Sequence, residues 1–212
     1  MCGRFELKTE YDSLPKILRE NFSPGLDSKY ETQNLIKPTD PVLLIKNEGK
    51  IKTTFMSWGF ISPWAKDPFQ KSNPRPLNAR SETVEEKKLF NGSWRHKRCL
   101  IPATGFFEKG FRIRKKNYST FWLGGIWSRW CSADGAELES FCILTTEPNA
   151  LIKPLHHRMP CVIPNGFEQQ WTENFKNADE LKGLLSLING WSPEDWLLEK
   201  SNNSSTRQMS LF

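Results

Sequence analysis

No two of the five cysteines stand in CxxC spacing, so the sequence has no zinc-finger ligand pattern, and it implies neither a metal nor another cofactor. No stretch of about eighteen uncharged apolar residues occurs, which excludes a helical membrane span. No charged-then-apolar leader opens the chain, so secretion is not expected. No internal repeat is visible. An odd cysteine count without a leader points to reduced thiols in a cytoplasmic protein, nucleoid-associated if the source is bacterial, and a monomer is the simplest expectation.

What is present is a chain of 212 residues, enough for one domain that buries most of its apolar surface. Aromatics are plentiful, with nine Trp and fourteen Phe. The formal net charge of +6 favours an anionic partner, of which nucleic acid is the commonest. Cys99, Cys142 and Cys161 sit in the apolar runs RCLIPA, SFCILTT and MPCVIP, where they read as small core hydrophobes. Cys2, in MCGRF, does not fit that pattern.

Tyr11, Leu14, Leu18 and Phe22 recur at helical spacing through YDSLPKILRENF. PVLLIKN and IKTTFMSW read as strands joined by a turn at Asn47–Lys50. In TVEEKKLF, Thr83 with Glu86 three residues on predicts a capping-box helix start. RCLIPATGFFE, STFWLGGIW and SFCILTT are strand-like, and RIRKKNYS looks like a basic turn between two of them. ADELKGLLSLI predicts a late amphipathic helix, and polar EKSNNSSTRQ a disordered tail. The expected fold is α+β, a curled or barrel-like, mostly antiparallel β core with a few flanking helices. Its domain would span residues 1–197, followed by a tail over 198–212.

Four stretches combine a polar residue with tight apolar, Gly or Pro neighbours: MCGRF, WGFISPWAKD with PLNARSET, ATGFFEKG, and LHHRMPCVIP. Together, in this order over roughly the first 170 residues, they resemble the SRAP family. Members of that family cross-link covalently to abasic sites in single-stranded DNA. Carried over by position, the resemblance implies an active site of Cys2, Asn78, Glu108 and His156, with Arg4, Arg80 and Arg158 on phosphates. The sequence departs from the family at Lys109, where an aromatic is usual, at QNLIKPTD, which replaces a Tyr-Asn-x-Ala-Pro run, and in lacking a late Val-Asn-rich segment.

The residues suit this chemistry. Removal of Met1 would leave Cys2 with a free α-amine beside its thiol. An α-amine titrates near ~8 and can condense with the open aldehyde of an abasic sugar. The thiol, with an ordinary pKa of about 8.5, then closes a five-membered thiazolidine on the imine carbon. Proximity favours such steps by effective molarities on the order of 10⁵ M or more. His156 can move protons at the sugar oxygens, although a structural histidine is the plainer interpretation without the HxRMP spacing that selects it over His157. Glu108, in an apolar run, reads as a proton shuttle or as an exposed strand carboxylate. Asn78 reads as a hydrogen-bonding group for the sugar or as a turn asparagine. Trp58, Phe60 and Trp64 lie in a Gly/Pro-broken loop and could stack on bases. Core packing is the alternative, favoured for Trp58. The RIRKK cluster either extends a basic surface or is a solvated turn.

Three functions are therefore open: covalent capture of abasic sites in single-stranded DNA, a thiol peptidase or associated lyase using Cys2, or non-covalent single-strand binding. The last residues, QMSLF, resemble the pentapeptide by which bacterial polymerases and repair proteins dock on the DNA sliding clamp, with Gln208, Leu211 and Phe212 as the contacts.

Overall fold

Runs of β-branched and aromatic residues become the strands of this protein, as their shape on a pleated surface favours. The computed structural model describes residues 3–174, 183–184, 188 and 191–201. In chain order the strands are β1 (Phe5–Leu7), β2 (Gln33–Ile36), β3 (Pro41–Asn47), β4 (Ile51–Trp58), β5 (Asn78–Arg80), β6 (Arg98–Ala103), β7 (Gly105–Glu108), β8 (Phe111–Lys115), β9 (Phe121–Cys131), β10 (Glu137–Thr146), β11 (Met159–Pro160), β12 (Val162–Ile163) and β13 (Trp196–Lys200).

Five of them close into a barrel. β10 pairs with β4, β4 with β3, β3 with β6, β6 with β9, and β9 returns to β10. Every pairing in this ring is antiparallel except β4–β10, which is parallel. The closed core of mostly antiparallel strands matches the expected barrel-like α+β class, with a small helical share. The α-helices with described bounds are α1 (Lys16–Arg19), α2 (Asn91–His96) and α3 (Glu168–Thr172), each of six residues or fewer, and Gly183, Leu184 and Ile188, within the expected late helix, are helical too. None is long and apolar enough to cross a membrane. A second sheet, in the order β13-β8-β7-β1-β2, is antiparallel throughout.

The barrel frays at one end of β10. β4 leaves after Trp58, and β5 takes over the same edge, pairing Ile143 with Asn78 and Thr145 with Arg80. At the same end β11 pairs with Thr145 and Thr146, and β12 pairs with β9. This end brings together NARSET on β5 and HHRMP before β11, whereas the ISPWA part of WGFISPWAKD runs beside Ser128, Trp130 and Ser140, toward the other end of β9 and β10.

The N-terminal strand is held by charge. Glu6 is fully buried, and its carboxylate accepts from Arg112 Nε (2.7 Å) and Nη2, with Lys8 Nζ 3.1 Å away. A buried carboxylate needs such partners. Gly105 makes the room, because a Cβ there would meet Glu6 Oε1 at 2.8 Å.

Several expectations are corrected. Pro15 breaks the first helix: Tyr11–Ser13 forms a 3₁₀ turn, Leu14 is extended before the proline, and only Lys16–Arg19 is α-helical. TVEEKKLF forms turns rather than a capping-box helix, and the helix comes later, at α2. RIRKK is mostly strand β8, and its arginines are neither a free basic surface nor a solvated turn. Arg112 pairs with Glu6 and Glu199, while buried Arg114 pairs with Glu199 and lies 3.6 Å from the Tyr118 ring centroid. The last described strand, β13, runs across the expected domain boundary at 197. Most of ADELKGLLSLI and all of the tail beyond Ser201 lie outside the described residues. Cys99, Cys142 and Cys161 are fully buried, as their apolar runs imply, and burial pushes all three thiols up.

Candidate active site

The start of the chain is placed by β1. Its pairing with β7 sets Phe5 opposite Phe106 and Glu6 opposite Gly105. The next rung is made, with the Phe107 N–H donating to the Arg4 carbonyl at 3.0 Å. Continuing that register sets Gly3 opposite Glu108, at the end of β7. Cys2 itself lies outside the described residues, as do Gln208, Leu211 and Phe212. After Glu108, Lys109 and Gly110 turn the chain with φ of +44° and +81°, the tight two-residue hairpin such angles allow.

Asn78 and Arg80 alternate with buried Ala79 on β5, so both project to the same side. Opposite them, the segment before β11 carries His156 and Arg158. Asn149 Oδ1 accepts from the Leu151 and Ile152 N–H groups, and the His156 N–H bonds Ile152 O at 2.9 Å. An open cleft of about 640 Å³ runs here, lined by His156 and His157 among the cations Arg80, Lys109, Lys153 and Arg158, with Glu147 at its edge. That is the charge balance an anionic strand would meet.

His156 is half-buried, and its Nδ1 accepts from the Arg158 N–H at 3.0 Å. In the neutral ring the proton therefore lies on Nε2. Burial holds the imidazole below its ordinary pKa, and the positive charge of the chain's N-terminus and His157 push the same way; Glu108 opposes them. Glu108 and His156, some fifty residues apart in sequence, thus act on each other. His157 is exposed and stacks on His156, ring centroids 4.2 Å apart.

Arg158 departs from the expected phosphate contact. It is buried, and its fork clasps Glu82 at 2.9 and 2.6 Å and the Thr145 carbonyl. Only its Nε–H is left without a partner. Arg80 is exposed at the cleft, and Arg4 is half-buried.

The aromatic trio divides. Trp58 and Phe60 are both 0% exposed and cannot stack on a base. Trp58 packs on Phe5 and Phe141 and donates to Leu77 O, while Phe60 meets Phe90 edge-on at 5.3 Å. Trp64, after Pro63, is 64% exposed. Lys109, which the sequence marks only as a departure from the family, lines the cleft, while Lys153 and the exposed Phe69 are further surface groups that sequence reasoning missed and that carry no local signal. Among the described residues, no group of three His, Cys, Asp or Glu is placed to hold a metal ion.

A family model described as SOS response associated peptidase (SRAP) matches residues 1–198. The chain belongs to the SRAP family. It is 34% identical over 206 residues to the abasic site processing protein YoqW of Bacillus subtilis (strain 168), covering 92% of this chain and 89% of that one. It is 27% identical to the abasic site processing protein YMR114C of Saccharomyces cerevisiae, over 89% of this chain and 60% of the other. A crystal structure of a protein from Bacteroides thetaiotaomicron shares the fold, with a TM-score of 0.81 at 24% identity, covering 95% of this SRAP chain and 93% of its own.

Proposed function

We propose that this SRAP protein processes abasic sites in single-stranded DNA by forming a covalent thiazolidine through Cys2, once Met1 is removed, and so protects the lesion from strand cleavage. The observation that carries the proposal is the β1–β7 register, which sets Gly3, the neighbour of Cys2, opposite Glu108 beside a cationic cleft holding His156. Relatives named as abasic site processing proteins support the substrate class.

The chemistry balances without a cofactor. His156 moves a proton from the hemiacetal hydroxyl to the ring oxygen and opens the sugar to its aldehyde. The Cys2 amine adds to the aldehyde carbon, and water leaves with Glu108 supplying and recovering protons. The thiol sulfur then bonds to the imine carbon, and its proton passes to the nitrogen. Asn78 orients the sugar hydroxyl or the amine. Arg4 and Arg80 supply positive charge for the phosphates. A heat-stable shifted band should appear on denaturing gels after mixing with an abasic oligonucleotide. It should be absent when methoxyamine has first capped the aldehyde, and a band that survives the cap would refute aldehyde capture.

Trp64 supplies the stacking surface. Trp64→Ala should weaken binding to single-stranded oligonucleotide by about 1–3 kcal/mol in anisotropy titrations. Phe60→Ala should spare binding and lower thermal stability, by about 3–5 kcal/mol. Equal losses of affinity in the two variants would contradict this division.

We further propose that Gln208, Leu211 and Phe212 dock on a bacterial sliding clamp. The Ser201 N–H bonds Gly110 O at 2.8 Å, next in sequence to Lys109 of the cleft. A tether from that point would raise the local concentration of the site at replication forks. Calorimetry of a peptide spanning the last dozen residues against the clamp should show binding that is lost when Leu211 and Phe212 become Ala. No heat at high micromolar peptide would refute it.

A further inference from the structure

We infer that Glu82 is a positioning residue for His156, acting through Arg158; the inference rests on the proposed role of His156 in opening the sugar. Glu82 lies two residues beyond β5, and Arg158 one residue before β11. Their side chains join the two elements across the end of β10. The Arg158 fork meets both Glu82 oxygens, at 2.9 and 2.6 Å, and the same guanidinium donates to Thr145 O on β10. Thr145 O also takes the Ser81 N–H at 2.9 Å, so the residue before Glu82 is tied to the same carbonyl.

A guanidinium held by a planar carboxylate and a carbonyl has little freedom, and the two-point match fixes orientation as well as distance. The backbone of Arg158 is fixed with it. Its N–H is the group that donates to His156 Nδ1 at 3.0 Å. That bond selects the tautomer carrying its proton on Nε2 and sets the ring plane, as outer partners do for other functional imidazoles. The Arg158 N–H is spent on His156, and exposed His157 does not share it. The Glu in NARSET and the Arg in HHRMP thus serve one task. An alternative use of Arg158, gripping phosphate, makes the opposite forecast: removing Glu82 would release the fork and tighten DNA binding.

The test compares wild type with Glu82→Ala and with Glu82→Gln, which keeps the side-chain shape should the alanine variant lose its fold. Three quantities are measured: the single-turnover cross-linking rate at saturating abasic oligonucleotide, affinity for an oligonucleotide carrying a non-reactive tetrahydrofuran site, and the His156 tautomer by long-range ¹H–¹⁵N NMR. The expected result for Glu82→Ala is a rate about 10²-fold lower, as for a small misplacement of a reacting group. Affinity should change little, and His156 should shift from one Nε2–H form to a mixture. Glu82→Gln should fall between the two. An unchanged tautomer and rate would overturn the inference, as would tighter binding with an unchanged rate. If wild type itself forms no adduct, the proposed function fails, and the tautomer measurement alone decides whether Glu82 positions His156.

Discussion

Replacing Cys2 by alanine is expected to abolish the heat-stable adduct with abasic DNA while leaving binding to the same oligonucleotide largely intact. The thiol is the only group in the scheme that turns a reversible imine into a closed ring. Its loss leaves a Schiff base that water can reverse. In the proposed mechanism affinity comes instead from the cations Arg4, Arg80, Lys109 and Lys153 and from exposed Trp64, none of which the substitution alters. An N-terminal tag, or blocked removal of Met1, should do equal damage, because the amine is then consumed in a peptide bond. Denaturing gels measure the adduct and anisotropy the binding. A heat-stable adduct in Cys2→Ala would sink the thiazolidine.

Glu108→Ala and His156→Ala are each expected to slow cross-linking by roughly 10²–10⁴-fold without weakening DNA binding, the range for proton-transfer groups. Rapid-quench single-turnover kinetics would read this, and rates equal to wild type at neutral pH would remove both residues from the chemistry. His157→Ala should matter much less. His157 is exposed, and the Arg158 N–H that orients an imidazole belongs to its neighbour. The pH dependence has a definite sign. Burial, the N-terminal charge and His157 hold His156 below the ordinary 6.5, with Glu108 opposing. The ring therefore stays neutral at neutral pH, and the rate carried by it should fall only as pH drops below the ordinary histidine range. The α-amine works in the same direction: its neutral fraction grows as pH rises through ~8, so the rate should go on climbing above the histidine range.

Much of the barrel was legible locally. PVLLIKN, IKTTFMSW, RCLIPA, STFWLGGIW and SFCILTT are dense in β-branched and aromatic residues, and each became a barrel strand. A barrel-like core was expected, but the pairing that closes it was not legible: the parallel contact of Ser57 with Ser140 and Trp58 with Phe141 is encoded in no local pattern. The same distance hid the charges. Arg112 and Arg114 looked like a basic turn because Glu6 and Glu199, which neutralise them, come from the first and last strands. TVEEKKLF carried a capping-box pattern, but the chain formed α2 instead. There Trp94 packs against Trp171, and buried Arg98 gathers the Trp94, Arg95, Trp171 and Glu173 carbonyls. Trp58 and Phe60 share the motif WGFISPW with Trp64, and composition alone did not separate them. The structure does: Trp58, Phe60 and Ile61 are all in the core, and only after Pro63 does an indole reach solvent. In the site, HxRMP spacing singled out His156, while the Glu82–Arg158 clasp required two segments that meet only across β10.

The most direct measurement is the intact mass of the protein after incubation with an oligonucleotide bearing one abasic site, without borohydride, followed by heating and digestion. A thiazolidine requires the mass of the chain lacking Met1 plus the oligonucleotide minus one water, with the added mass on the peptide that begins at Cys2. An unchanged mass, a gain that appears only after borohydride trapping, or a gain located on a lysine peptide would contradict covalent capture by the N-terminal cysteine.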